Sequence, residues 1–174
     1  MMTENIHTST PNKGLTIGSK APIIDTKDVF ENEINLNKLL EKNRGVMIEF
    51  WRGSWWPHCK KHFKSVLIPN HGEFVKRNII LISIAVDNPR KMKQLHEKYE
   101  IPFTFVADRR AELTNLYNVY LTEERPEHDE FQPKHAIPSK FLINKEGLIV
   151  WQYIGTKTDR PSIEIMIEAM DKYL

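Results

Sequence analysis

Only one cysteine, Cys59, stands among 174 residues. A single thiol excludes an internal disulfide, so disulfide chemistry would take its second sulfur from a partner, a second subunit or a small molecule. Charge of one sign is also lacking, since 25 basic residues against 23 acidic leave a net +2. That is no polyelectrolyte, and it argues against nucleic acid or an anionic membrane as a partner. No apolar run approaches the ~20 residues of a membrane span. The opening stretch MMTENIHTSTPNKG has no apolar h-region, so no secretory signal is read there and the cytoplasm is the default compartment. Cysteine scarcity alone does not decide the compartment. Internal repeats are absent as well.

What remains is ordinary globular composition, 40% hydrophobic and 28% charged, at a length that suits one domain. Residues 1–14, rich in Thr, Asn and Pro, are expected to be a flexible tail ahead of a domain over 15–174. Val46–Trp51 (VMIEFW) and Ile79–Val86 (IILISIAV) read as strands buried on both faces. Pro57 suits the first turn of a helix predicted to reach about Arg77, kinked or split at Pro69. Asp87-Asn88-Pro89 opens an amphipathic helix to about Tyr99. A strand at Phe103–Val106 and a short helix at Ala111–Tyr117 follow. Tyr120 to His135 is charged and without a period, a long loop. Two strands, Lys140–Asn144 and Leu148–Ile154, turn at Lys145-Glu146-Gly147, and a closing helix begins at Pro161. Strands alternating with helices and ending in a hairpin imply an α/β sandwich with a mixed sheet.

The stretch FWRGSWWPHCKKHF concentrates the chemistry. It places Cys59 in the first turn of a helix behind a buried strand, where unpaired N–H groups and the dipole favour an anion. His58, Lys60, Lys61 and His62 surround it with cationic or titratable side chains. Helix-start and cationic settings are where thiolate chemistry is found. Trp51, Trp55 and Trp56 read as core and rim aromatics. His58, Cys59 and His62, with His128, Asp129 and His135 in the loop, are zinc-type donors, but their spacing matches no standard closed site, and no metal is expected.

Several pieces carry a family resemblance in a consistent order: GSKAP, FW followed by W-x-x-C at a helix start, FTFVADRRAELTNLYNV, and IPSKFLINKEGLIVWQYIG with the helix after Asp159-Arg160-Pro161. Together they resemble the thioredoxin fold. Within it they resemble the peroxiredoxin-like branch of alkyl hydroperoxide reductases and thiol-specific antioxidants, the redoxins. The resemblance implies a thioredoxin-like three-layer α/β sandwich, a mixed central sheet flanked by helices. Thioredoxin-type enzymes use Cys-x-x-Cys; here the four residues are Trp56-Pro57-His58-Cys59, which excludes exchange within one site. Aligned on Cys59, the peroxiredoxin Pro-x-x-x-Thr-x-x-Cys pattern puts Pro on Arg52 and Thr on Trp56, so both are replaced. Peroxiredoxins carry their arginine near Pro138, where thioredoxins have a cis-proline, and Pro138 is expected to be cis. Glu49, in VMIEFW, falls where thioredoxins keep a buried acid, and is expected to shuttle a proton to or from Cys59.

The resemblance thus implies a single-cysteine thiol oxidoreductase with Cys59 and Glu49 as its catalytic pair. Trp56, His58 and Pro138 would shape the pocket. A small-molecule peroxide or disulfide is the implied substrate and an external thiol the reductant, with no cofactor and a homodimer left open. The alternative is a thioredoxin-like binding module that takes extended peptides beside Pro138, which the replacement at Trp56 favours and Cys59 opposes.

Overall fold

Two largely apolar runs become the centre of the sheet. Gly45–Trp51 forms β4 and Ile79–Ala85 forms β5, paired in parallel from Gly45 with Ile79 to Trp51 with Ala85. Strands covered on both faces have no polar side to alternate with. β4 is accordingly buried at every position and β5 at all but Ile80.

The computed structural model describes residues 5–122, 134–156 and 158–174. Outside β4 and β5 the six-stranded sheet adds β6 (Thr104–Ala107), β9 (Ser139–Asn144), β10 (Ile149–Ile154) and β1 (Ile6–Thr8), in the order β1-β10-β9-β4-β5-β6. β4, β5 and β6 run parallel, β9 is antiparallel to both of its neighbours, and β1 is parallel to β10. Two small hairpins lie outside it, β2 (Asp25–Lys27) with β3 (Glu33–Asn35), and β7 (Tyr120–Thr122) with β8 (Lys134–Ala136).

Helices cover both faces. On one side α2 (Pro57–His62), α3 (His71–Val75), α4 (Pro89–Lys98) and the closing helix (Ile163–Tyr173) bury Phe63, Phe74, Met92, Leu95, Met166 and Met170 against Met47, Trp51 and Leu142. On the other side α1 (Leu36–Lys42) buries Leu36 and Leu40 against Val46, Ile48 and Ile143. Near it α5 (Glu112–Leu116) leads into the buried Tyr117. The result is the thioredoxin-like three-layer sandwich. Asn88 caps its helix as the sequence predicts, its Oδ1 accepting from Arg90 N, while the closing helix starts two residues after the expected Pro161, capped by Ser162 Oγ accepting from Ile165 N.

Three stretches differ from expectation. The helix predicted from Pro57 to Arg77 is three pieces. α2 passes into a π turn over Phe63–Leu67, where Ile68 N–H bonds Phe63 O, five residues back, at 2.8 Å. The chain then breaks at Pro69, as expected of a residue with no N–H to continue the helix, and restarts as α3; the π turn is what the sequence did not predict. Within the stretch read as a tail, Ile6–Thr8 is an edge strand, its register set by Ile6 with Gln152 and Thr8 with Ile154. The segment read as a loop from Tyr120 to His135 begins and ends in paired strands. Residues 123–133, with His128 and Asp129, lie outside the described residues. Among the described residues no helix is long and apolar enough to cross a membrane.

Candidate active site

The site is built where β4 ends. Gly53 turns the chain at φ +151°, and a Cβ there would lie 2.3 Å from Trp55 Nε1, so only glycine fits under the indole. Asp87, at the end of β5, pins the turn by accepting from Ser54 N at 2.7 Å. Trp56 N–H then bonds Gly53 O at 3.1 Å, and Pro57 supplies the first helical residue.

Cys59 follows, only 1% exposed. Its Sγ accepts two hydrogen bonds, from Arg52 N–H at 3.4 Å and from Arg160 Nη2 at 3.1 Å. The helix start was expected to supply the stabilising N–H groups. Instead one comes from the strand end at Arg52, and the charge comes from Arg160, 101 residues later in the chain. A guanidinium N–H is a donor that thiolate sulfur accepts better than a thiol does.

Arg160 is half-buried and held from behind. Its Nη1 donates to Thr156 O at 2.9 Å, and Thr156 Oγ1 accepts from Asp159 N at 3.1 Å. Gly155, which opens this turn, donates to Pro138 O at 2.9 Å, and a Cβ on it would lie 2.1 Å from Asp159 O. Pro138 therefore borders the site through its carbonyl, but the expected cis bond is not there: no described peptide is cis. Ile137 N–H bonds Val119 O at 2.8 Å and the Pro138 carbonyl accepts from Gly155, so both backbone groups are satisfied between β8 and β9 with a trans peptide.

Beneath lies a polar row. Sheet register sets Ser83, Glu49, Lys140, Tyr153 and His7 beside one another on β5, β4, β9, β10 and β1. Cross-strand partners share a face, here the face under α2 and the closing helix. Lys140 Nζ donates to Glu49 Oε1 at 2.5 Å, and Ser83 Oγ donates to Glu49 Oε2. Both donors suit a carboxylate. Glu49 is thus buried near the cysteine, as expected, yet its hydrogen bonds go to Lys140 and Ser83 and none to Sγ. His62, one turn after Cys59, faces the same acid, with Nε2 3.9 Å from Glu49 Oε1, beyond hydrogen-bond reach. Burial, and then the positive charges of Lys140 and Arg160, hold the His62 imidazole well below its ordinary pKa, so the ring is neutral. Burial also lowers the Lys140 ammonium from its ordinary range, against the opposing pull of Glu49.

The other expected residues form the rim. The Trp56 ring lies 4.5 Å from the Arg52 guanidinium carbon and Trp55 5.5 Å from it, a cation–π pair over a buried arginine. His58 is exposed, its ring 5.5 Å from that of Trp56, and does not bond the sulfur. Among the described residues no group of three or more His, Cys, Asp or Glu side chains is arranged to hold a metal ion. Arg160, Lys140 and Ser83 were not foreseen; His62 was, as one of the titratable side chains around Cys59, though not as a partner of Glu49. Lys140 did leave a signal, a lone cation within IPSKFLIN matching the lone acid within VMIEFW. Arg160 left none.

The model of the AhpC/TSA family matches residues 17–152. The chain belongs to the AhpC/TSA family. Among curated relatives it is 25% identical over 164 residues to the thiol-disulfide oxidoreductase ResA of Geobacillus kaustophilus, covering 92% of this chain and 82% of that one. It is 26% identical over 148 residues to ResA of Bacillus subtilis, covering 84% and 72%. Among solved structures, peroxidoxin BcpB of Mycobacterium tuberculosis superposes with a TM-score of 0.74 at 13% identity, covering 89% of this chain and 96% of that one. A mutant of peroxiredoxin 6 of Arenicola marina gives 0.79 at 17%, covering 91% and 73%. At those identities the structures speak for the fold. Family model and relatives together place the chain among the AhpC/TSA redoxins, with ResA thiol-disulfide oxidoreductases among the proteins similar to it.

Proposed function

We propose that the protein is a single-cysteine thiol oxidoreductase with Cys59 as its nucleophile. The observation that supports this most is the convergence of a backbone N–H and a guanidinium on one buried sulfur. A silent peptide-binding module has no use for that contact.

With a peroxide ROOH, the Cys59 thiolate attacks the terminal oxygen. The S–O bond forms as the O–O bond breaks, the departing RO⁻ takes a proton, and Cys59 is left as a sulfenic acid. An external thiol condenses with it, releasing water and giving a mixed disulfide. A second thiol reduces that disulfide and returns the thiolate. With a disulfide substrate, attack gives the mixed disulfide directly and one substrate thiol leaves. Arg160 holds the sulfur's charge before attack. Glu49 and Lys140 keep a compensated charge pair and an exchangeable proton beneath the site. Trp56, His58 and Pro138 border the approach, and no cofactor is required. A reducing cytoplasm would supply the external thiol.

Stoichiometric peroxide should give an adduct with dimedone on the folded protein, seen by mass spectrometry and absent in Cys59→Ser. Peroxide should also be consumed when a small thiol is present. A folded wild-type protein that neither forms the adduct nor consumes peroxide, and forms no mixed disulfide with a small disulfide, would refute the proposal.

A further inference from the structure

We infer that Asp159 is a positioning residue for Cys59, acting through Arg160, and that strand β1 completes the device; this rests on Cys59 being the reactive thiol. Asp159 touches no sulfur. Its carboxylate is saturated on the other side: Oδ1 accepts from Tyr153 OH at 2.6 Å, and Oδ2 accepts from Ser9 Oγ at 2.5 Å and meets His7 Nε2 at 3.1 Å. Tyr153 belongs to β10, and His7 and Ser9 to β1 and its end. The His7 ring also stacks on Tyr153, centroids 3.9 Å apart and planes 14° off parallel.

The next residue in the chain is Arg160, whose far end reaches Cys59. The turn between Gly155 and Arg160 is therefore fixed at three places. Gly155 is bonded to Pro138 O and accepts on its own carbonyl from Thr10 Oγ1 at 2.8 Å. Thr156 O receives Arg160 Nη1, and the Asp159 side chain anchors the turn to two strands. An arginine is long and rotamer-rich, so a sulfur contact at 3.1 Å depends on where its backbone is held. Asp159 holds it. The simpler alternative is that Asp159 merely staples β1 to the sheet edge, and the two roles differ in what they do to the thiol.

The test is the rate at which folded protein is alkylated on Cys59 by anionic iodoacetate and by neutral iodoacetamide. A guanidinium beside the thiolate draws in the anionic reagent, so the ratio of the two rates reports its presence. Arg160→Met should lower the ratio. Asp159→Ala should lower it by about three- to tenfold, in the lower part of the roughly two- to 150-fold that coupled hydrogen-bonded neighbours show. Tyr153→Phe, which removes one donor and no packing volume, should move it the same way by less. In an Arg160→Met background, Asp159→Ala should change nothing more. An unchanged ratio in Asp159→Ala, or an effect that adds fully to Arg160→Met, overturns the positioning role. A wild type that neither reagent alkylates, or an Arg160→Met ratio equal to wild type, overturns the reading of Cys59 and Arg160 beneath it.

Discussion

Lys140→Met is the most informative single change, because it removes one member of a pair that is buried on both sides. Lys140 and Glu49 are each 1% exposed and bonded at 2.5 Å. Taking away the ammonium leaves a carboxylate with the Ser83 hydroxyl and a neutral His62 that is too distant to bond. Breaking a buried ion pair from one side costs about 3–5 kcal/mol, most of it the uncompensated charge. For a chain of this size that is a fall in melting temperature of roughly 6–20 °C. Glu49→Leu with Lys140→Met removes both charges, and apolar replacement of a buried pair is commonly neutral or stabilising by about 1–4 kcal/mol. The double variant should therefore be more stable than Lys140→Met alone. Urea unfolding followed by fluorescence of the four tryptophans measures all three proteins against wild type. The double variant should also stay folded yet turn over peroxide more slowly, which separates chemistry from stability. A Lys140→Met penalty below about 1 kcal/mol with an unchanged m-value would show that Glu49 carries no buried charge, and would refute the reasoning.

Two further outcomes follow from the same region. His62 has its folded pKa depressed below 6.5 by burial and by Lys140 and Arg160, so below pH 6.5 the unfolded chain binds a proton that the folded chain refuses. That stabilisation is complete above pH 6.5 and lost as pH falls toward the folded value, by up to about 1.4 kcal/mol per pH unit; urea midpoints across pH 4.5–7.5 should show the slope, and His62→Gln should flatten it. Gly53→Ala puts a Cβ 2.3 Å from Trp55 Nε1 at a φ of +151°, so it should cost about 1–3 kcal/mol in urea unfolding and also slow Cys59 alkylation, because Arg52 N–H shifts with the turn.

Legibility in the sequence followed the range of the interaction. β4 and β5 were readable because a strand covered on both faces reads as a nearly continuous apolar run, broken in Val46–Trp51 only by Glu49 and in Ile79–Ala85 only by Ser83. Local caps were readable for the same reason: Asn88 and Pro89 act within one turn. Cys59 and Glu49 were readable as a thiol at a helix start and an acid inside an apolar strand. Their partners were not, because Lys140 lies 91 residues from Glu49 and Arg160 lies 101 from Cys59. Register between β4 and β9, and the closing of the turn at Gly155, decide those meetings, and neither is written in any local period. Pro138 was misread because position in a family pattern carries no information on how Ile137 and Gly155 satisfy their backbone groups.

The π turn at Phe63–Leu67 has a consequence for comparing this protein with any relative. Closing a hydrogen bond over five residues, from Ile68 to Phe63, takes up one residue more than a regular helical turn. Counting forward from Cys59 in steps of three and four reaches His62, Phe63, Val66 and Leu67. His62, Phe63 and Leu67 are buried and Val66 is partly buried against the same core, so the inward face is kept through the wide turn. Against a redoxin whose helix is regular, that extra residue would put an ungapped alignment one position out between this turn and Pro69. Correspondence has to be re-established at α3, where Phe74 enters the core.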